Sequence, residues 1–202
     1  MNFKYFDKPQ LFTSFTDKET ECGICGKKTK CLDATLFYGT AELAAICPQC
    51  LSEGKLYELD IYTCEGDIEE LENQLKKIKP GSNTAEIEKL AKEKTTELEK
   101  TTPHLITWQD WPWPCADGDY CRFIGFGSKK FYSQIANRNE AKELFKQSLY
   151  HTIRDISDVG ELWDEMNQEE IKNHDDSANY STLFYVFKSL HSGKIVTVWD
   201  TD

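Results

Sequence analysis

The stretch ECGICGKKTKCLDATLFYGTAELAAICPQC, residues 21–50, contains two pairs of cysteines, and two residues separate the members of each pair. The pairs are Cys22 with Cys25 and Cys47 with Cys50, with 21 residues between them. Two such turns brought face to face supply four thiolates, the ligand set of a structural zinc ion. Gly26 suits the tight turn after the first pair, and Pro48 stiffens the second.

The spacing predicts one structural zinc ion per chain, bound by Cys22, Cys25, Cys47 and Cys50. Four thiolates leave no open coordination position for catalysis. A thioredoxin-like redox site is the weaker alternative, because it needs one C-x2-C at the start of a helix within a βαβ unit. A structural disulfide is disfavoured by the compartment that the composition indicates.

The composition indicates a cytoplasmic protein. The chain has 202 residues, 39% of them hydrophobic, which suits one domain or two small ones with a buried core. No run of about 18 apolar residues is present, and the start, MNFKYFDKPQ, does not have the pattern of a signal peptide. We therefore expect no membrane segment.

The net charge of −11 repels phosphate, so a nucleic-acid partner is disfavoured for the whole molecule.

Four further cysteines lie outside the paired pattern: Cys31, Cys64, Cys115 and Cys121. Free cysteines commonly act as small buried hydrophobes, and we expect this of each. Cys115 and Cys121 are close enough in sequence to share a second site, but no second pair accompanies them. Their roles stay open at this point.

Residues 67–101 have the pattern of a helical hairpin. Asp67 followed by Glu70, and Asn83 followed by Glu86, predict two helix starts. The apolar stripes are Ile68, Leu71, Leu75 and Ile78 in the first helix and Ile87, Leu90, Ala91 and Leu98 in the second. Lysines and glutamates cover the other faces, which predicts a packing or interaction arm without chemistry.

The predicted fold class is α+β. The predicted parts are a zinc-ribbon-like module (1–66), a helical hairpin insertion (67–101) and an aromatic-rich C-terminal α/β portion (102–202), the last packed with the first as one unit. In the last part, helical patterns cover 139–150 and 158–172, and a β-hairpin is expected around Gly193. Its first segment, TPHLITWQDWPWPCADGDYCRFIGFG (102–127), is an aromatic cluster that predicts either core or an exposed binding groove.

An acidic tract lies between Asp155 and Asp176, with nine acidic residues against one lysine, Lys172. It is either a solvated helix face or a docking surface for a basic protein. The candidate contact residues are Asp158, Glu161, Asp164, Glu165, Glu169 and Glu170. Val159, Leu162, Trp163 and Met166 are the expected inward-facing residues of the same helix.

The turn SLHSG, residues 189–193, has serines where CGICG has cysteines. Serine hydroxyls are poor zinc ligands, so we expect Ser189 and Ser192 to bind no metal.

The chain also lacks G-x-S-x-G, H-E-x-x-H and a P-loop, and its four histidines have no ligand spacing. Asp117 and Asp119 are the best carboxylate pair, but ADGD is also an ordinary turn. We therefore predict that the protein is not an enzyme.

Several blocks together resemble the CbrC family of small bacterial proteins: FKYFDKP, CGICG, FYGTAELAAICPQCLSEG, the aromatic cluster, and the closing LFYVFKSLHSGK and DTD. The chain differs from the family pattern in three places. It has Gln49 where the family has tryptophan, Pro114-Cys115 where it has His-Cys, and the serine turn where it has C-L-H-C-G. The region around 65–100 is longer than is usual in the family.

The resemblance implies an immunity or tolerance protein, since the family's namesake is associated with tolerance to a DNase-type colicin. The hypothesis is a non-enzymatic protein that neutralises a basic protein toxin, such as a nuclease, by direct binding. Electrostatic steering of an acidic inhibitor toward a basic nuclease fits this hypothesis. The alternative is a zinc-ribbon nucleic-acid-binding or regulatory protein.

Overall fold

The computed structural model describes residues 2–136, 140–151 and 156–201, and for 156–158 it describes the backbone only. It confirms the α+β prediction. The strands are β1 (Thr20–Glu21), β2 (Lys28–Thr29), β3 (Leu32–Asp33), β4 (Tyr38–Gly39), β5 (Ala45–Ile46), β6 (Ile61–Tyr62), β7 (Cys115–Ala116), β8 (Asp119–Tyr120), β9 (Arg122–Phe126), β10 (Thr182–Lys188) and β11 (Ile195–Thr201). The helices are α1 (Pro9–Phe12), α2 (Pro48–Ser52), α3 (Ile68–Ile78), α4 (Thr84–Thr101), α5 (Lys129–Ile135), α6 (Ala141–Ser148), α7 (Ile156–Glu165) and α8 (His174–Ser177), with a 3₁₀ turn at Ala34–Leu36.

Short antiparallel pairs build the N-terminal module. β1 pairs with β2, β3 with β5, and β4 with β6. The β3–β5 pairing places Leu32 opposite Ile46, and both side chains are buried in the main core. This pairing closes the loop between the two cysteine pairs, because β2 follows the first pair and α2 begins directly after β5. The fold of the loop therefore fixes where the second pair lies.

The helical hairpin is confirmed, together with its two predicted caps. The Asp67 side chain accepts a hydrogen bond from the N–H of Glu70, and Asn83 and Glu86 form a reciprocal capping box. Leu71, Leu75, Ile87, Ala91 and Leu98 are buried, whereas Ile68 and Ile78, at the two ends of the first stripe, are exposed. Among the described residues, no helix has both the length and the apolar composition needed to cross a lipid bilayer.

The C-terminal portion is organised around a three-stranded antiparallel sheet of order β11–β10–β9. β10 and β11 form the predicted hairpin, with Thr182 opposite Thr201 and Gly193 in the connecting turn. Both faces of β10 are covered. Leu183, Tyr185 and Phe187 belong to the main core, and Phe184 and Val186 belong to a second cluster with α5, α6 and α7. The central strand therefore joins two hydrophobic clusters, which explains its nearly continuous apolar sequence.

The helix predicted over 158–172 is shorter at its C-terminal end than expected. α7 ends at Glu165, and the chain then runs without helix to Asn173. Asn167 explains the end: its side-chain amide donates to the Glu169 carbonyl at 2.7 Å, a local bond that competes with helix. The carbonyl of Asn167 also accepts the N–H of Lys129 at the start of α5. Val159, Leu162 and Met166 are buried as predicted, and Trp163 is half-buried.

Candidate metal centre

The first cysteine pair lies in the turn between β1 and β2, which we call the cysteine turn (residues 22–26). The N–H of Cys22 donates to the Lys27 carbonyl at 3.0 Å, and the N–H of Gly26 donates to the Cys22 carbonyl at 2.9 Å. Gly26 has a φ of 70°, a conformation that glycine adopts without strain. The turn holds the Cys25 sulfur within 4.8 Å of the Cys22 sulfur.

The second pair lies at the start of α2. Cys47 is the N-cap residue, and its sulfur accepts the N–H of Cys50 at 3.4 Å. Pro48 occupies the first turn of the helix, where its missing N–H leaves no helical bond unmade. The N–H of Cys47 donates to the Cys22 sulfur at 3.2 Å and so links the two pairs directly.

The four cysteines selected by their spacing lie together. Their sulfurs are all within 4.8 Å of one another, and the Cys25 and Cys47 sulfurs are 3.9 Å apart. Tetrahedral zinc with Zn–S bonds of about 2.3 Å needs sulfurs about 3.8 Å apart. Cys22, Cys47 and Cys50 are buried and Cys25 is exposed. The cluster can therefore hold a metal ion, and a set of four soft thiolates suits zinc.

The backbone around Cys22 favours its thiolate. Burial raises the pKa of Cys22, but the N–H groups of Cys47, Cys25 and Ile24 lower it, with a net fall to about 6. Burial raises the pKa of both Cys47 and Cys50 and so favours their neutral thiols in the absence of a cation. Four neighbouring thiolates repel one another, so a bound cation is needed for all four to ionise together.

The other cysteines have different surroundings. Cys31, Cys115 and Cys121 are buried, whereas Cys64 is partly exposed. Cys31 lies next to the cluster. Burial, and then the charges of the neighbouring paired cysteines, raise its pKa to about 11 and favour the neutral thiol. Within the described residues, only the four paired cysteines form a group able to hold a metal. Cys115 and Cys121 therefore do not form a second cluster of this kind there.

The serine turn (residues 189–193) has the same backbone arrangement as the cysteine turn. The N–H of Ser189 donates to the Lys194 carbonyl at 2.8 Å, again five residues ahead, and Gly193 has a φ of 75°. The N–H groups of His191 and Ser192 both donate to the Ser189 hydroxyl oxygen at 3.2 Å. These are the same relative positions whose N–H groups point at the Cys22 sulfur.

A carboxylate closes the serine turn. The hydroxyls of Ser189 and Ser192 both donate to Oδ2 of Asp117 at 2.5 Å. These two hydrogen bonds, the largest cause, hold the pKa of Asp117 below its usual value. Asp117 itself adopts a φ of 58°, which a short polar side chain tolerates. Both serine hydroxyls of the turn therefore have a hydrogen-bond acceptor within the protein, the Asp117 carboxylate.

Asp119, the second member of the carboxylate pair, has a separate set of partners. It is buried, and its Oδ2 accepts from the Lys94 ammonium at 2.6 Å. The Tyr5 hydroxyl donates to its other oxygen at 3.1 Å. Burial opposes ionisation of Asp119, but Lys94 and Lys4 lower its pKa overall. Each of the two carboxylates thus stabilises a different part of the fold.

The acidic residues predicted as a docking surface are distributed over α7 and the segment that follows it. Glu161, Asp164, Glu165, Glu169 and Glu170 are exposed, and the side chain of Asp158 lies outside the described residues. Two of the acids are paired, Asp164 with Lys142 at 3.7 Å and Glu169 with Lys130 at 2.8 Å. The face is therefore less negative than its sequence indicates.

A cleft lies between the N-terminal module and the aromatic cluster, where the sequence predicted either core or an exposed groove, without the residues of the N-terminal module that complete it. The cleft has a volume of about 300 Å³, and its lining includes Tyr38, Glu65, His104, Asp110, Trp111 and Trp113. Most of the aromatic cluster is core, since Trp113, Phe123 and Phe126 are buried. Trp108 and Trp111 are half-buried, so the groove interpretation holds for part of the segment. The density of tryptophan was the one signal for it.

Comparison with known proteins gives a family and no structural relative. A family model described as "Uncharacterised protein family (UPF0167)" matches residues 1–201. The match spans the cysteine pairs, the helical hairpin and the serine turn. It does not extend to the narrower CbrC name, which remains a resemblance. No solved structure matches the chain.

Proposed function

The chain belongs to UPF0167, and we propose that it is a non-enzymatic binding protein whose N-terminal module is organised by one structural zinc ion. The observation that carries this proposal is the closed cluster of four cysteines. Four protein thiolates complete a tetrahedral shell, so no position remains for water or substrate. In this role zinc ties the β1–β2 hairpin to the start of α2 and stabilises the module through folding.

The proposed partner is a basic protein, and its most specific form is a bacterial toxin such as a nuclease. The exposed acids between Glu161 and Glu170 support this, together with the net charge of −11. A nuclease needs a basic surface to hold phosphate, so an acidic inhibitor would be steered to that surface. The resemblance to the CbrC family supports the immunity form of the proposal.

Charge reversal tests the partner surface. We expect Glu161→Lys, Glu165→Lys and Glu169→Lys together to slow association with a basic nuclease toxin that the protein neutralises by roughly tenfold at low salt. The difference should shrink at high salt, because exposed charges are screened. Association rates at two salt concentrations, together with survival of toxin-producing cells, provide the measurement.

The matched control carries the same change in net charge elsewhere. Glu42, Glu58 and Glu88 are exposed and lie far from the tract in sequence, so their reversal to lysine should affect association less. Equal slowing by both triple variants would mean that overall charge, and not this face, drives association. Full protection and an unchanged rate in the first variant would leave the face as a solvated surface. If no basic nuclease toxin binds, the immunity form is wrong.

A further inference from the structure

We propose that the cleft between the N-terminal module and the aromatic cluster binds an organic cation carrying a primary ammonium or guanidinium group. The cleft is formed by three stretches that are distant in sequence: Tyr38, residues 63–65 and residues 104–113. It combines aromatic side chains with carboxylates and a histidine. This inference is independent of the acidic tract and its proposed partner.

Aromatic rings form one part of the cleft lining. Tyr38 stacks on Tyr62, with ring centroids 5.4 Å apart and an interplanar angle of 22°. Its ring also contacts His104, at 5.8 Å between centroids. Trp111 is held by edge contacts with Tyr185 and Phe187 of β10, with ring centroids 5.1 and 5.9 Å away. Rings held in place by such packing are suited to cation–π contacts, which favour ammonium and guanidinium groups.

Hydrogen-bond acceptors form the second part. Nδ1 of His104 lies 2.9 Å from the Thr63 carbonyl, so Nδ1 carries the proton and Nε2 is left as an acceptor. Burial lowers the pKa of His104, which keeps the ring neutral. The carboxylates of Glu65 and Asp110 also line the cleft and are exposed. A ligand with several N–H donors would therefore meet three acceptors.

The charged side chains that line the cleft, Glu65 and Asp110, are both acidic. Within the part of the chain that the structure describes, no lysine or arginine lines the cleft. The Tyr38 hydroxyl donates to Oδ1 of Asp110 at 3.3 Å, and burial, followed by the charge of Asp110, raises the pKa of Tyr38 to about 12. The nearby Lys100 directs its ammonium elsewhere, to the carbonyls of Leu59 and Ile61 at 2.7 and 2.6 Å. An anionic ligand would be repelled here.

The size of the cleft limits the ligand. A volume of about 300 Å³ is at the lower end for small-molecule sites. It suits a short amine or guanidine, whether this is a free metabolite or an arginine or lysine side chain of a protein. Both sources present the same chemistry, and the experiment separates them.

Agmatine is the probe for a free cation, and the tripeptide Gly-Arg-Gly, acetylated and amidated at its ends, is the probe for a side chain. Binding is followed by tryptophan fluorescence and by the Trp111 indole N–H signal in ¹H–¹⁵N spectra. We expect saturable binding of at least one probe. 1-Butanol, a neutral alcohol, should not saturate. Tighter binding of agmatine indicates a free amine as ligand, and tighter binding of the peptide indicates a protein side chain.

Two conservative substitutions, combined in one variant, test the carboxylates. Asp110→Asn with Glu65→Gln should weaken probe binding roughly tenfold or more, since the charge that attracts the cation is lost. Asp175→Asn with Glu88→Gln, at two exposed acids outside the cleft lining, is the matched control and should bind as the wild type does. Circular dichroism confirms that each variant is folded.

Three results would overturn the inference: no saturable binding of either probe, equal binding of 1-butanol, or undiminished binding by the double variant. The partner proposal is tested separately, because reversal of Glu161, Glu165 and Glu169 should leave agmatine binding unchanged. Failure of agmatine and the peptide to bind would leave the toxin partner standing. Failure of the toxin to bind would leave the cleft as a cation site.

Discussion

The cysteine turn and the serine turn share a backbone and differ in what closes it. In each, the first residue donates its N–H to the carbonyl five residues ahead, at 3.0 Å from Cys22 and 2.8 Å from Ser189. In each, a glycine with a φ near 70° follows the second side chain, 70° at Gly26 and 75° at Gly193. The cysteine turn faces the second cysteine pair, and the serine turn faces one carboxylate.

This difference separates the conformation of the turn from its chemistry. Glycine and the backbone hydrogen bonds are present in both turns, so the same backbone shape occurs with sulfur and with oxygen at the two side-chain positions. Sulfur atoms gather a cation, whereas hydroxyls donate their protons to Asp117. The same turn thus forms half of a cysteine cluster that can hold a metal ion in one place, and binds a carboxylate in the other.

The largest expected effect is loss of the metal from the cysteine turn. Cys22→Ser with Cys25→Ser removes two of four thiolates, and hydroxyls are poor zinc ligands. Metal analysis of the purified protein should fall from one zinc per chain to near zero. Structural zinc contributes on the order of 10 kcal/mol to folding in small domains, so we expect the N-terminal module to lose its protection from proteolysis.

The same variant also tests the comparison. If the mutated turn behaved like the serine turn, it would fold without metal, but the described structure places sulfurs and not a carboxylate opposite its side chains. Full zinc occupancy in the double variant, or a wild-type protein that contains no zinc, would contradict the assignment of this cluster as a zinc site.

A smaller effect is expected at the serine turn. Ser189→Ala with Ser192→Ala removes both hydrogen bonds to Asp117 and the acceptors of three N–H groups, those of His191, Ser192 and Lys194. Hydrogen bonds to charged groups are worth about 1.5–3 kcal/mol, but Ser192 and Asp117 are exposed, so we expect a loss of about 2 kcal/mol in unfolding free energy. Denaturant titration provides the measurement.

Metal content is the discriminating readout for the serine variant. It should be unchanged, because the two hydroxyls are bound to a carboxylate. Ser82→Ala, in the loop between α3 and α4, is a control for the general effect of removing a hydroxyl. A second zinc ion that is present in the wild type and lost in the double alanine variant would show that the serine turn is a metal site.

The contrast between the two turns also shows what sequence reasoning can reach. The cysteine cluster was predicted because its ligands come from two local turns whose spacing is visible in the chain. The helix starts at Asp67 and Asn83 were predicted for the same reason, since a cap is decided within four residues. These features follow from neighbouring residues in the chain, and only their positions in three dimensions had to come from the structure.

Contacts between distant segments could not be predicted in this way. Ser189 and Asp117 are 72 residues apart, so the sequence showed a turn without ligands but not the carboxylate that closes it. The cation cleft is assembled from three separate stretches by packing of the core. The predicted C-terminal end of α7 was wrong because the side chain of Asn167 bonds to the backbone beyond the helix. The apolar pattern of residues 158–172 does not reveal this bond.

The smallest expected effect concerns the charge on Asp117. Its pKa is lowered in the folded protein, so its ionised form favours folding above the unfolded value of about 4. As the pH falls below about 4 toward the folded pKa, the unfolded chain takes up the proton first and this stability is lost. Asp117→Asn keeps an acceptor oxygen but no charge, and should cost about 1 kcal/mol at neutral pH.

The pH dependence distinguishes this charge effect from a general loss of packing. Asp119 also has a lowered pKa and stays in both proteins, so the wild type minus Asp117→Asn difference isolates Asp117. We expect that difference in unfolding free energy to be constant between about pH 5 and 7 and to shrink as the pH falls below about 4. A difference that stayed the same down to pH 3 would mean that the loss in the Asp117→Asn variant comes from the packing or geometry of the amide and not from the missing charge. The two turns would then differ only in sulfur against oxygen, and the charge of Asp117 would have no part in the contrast.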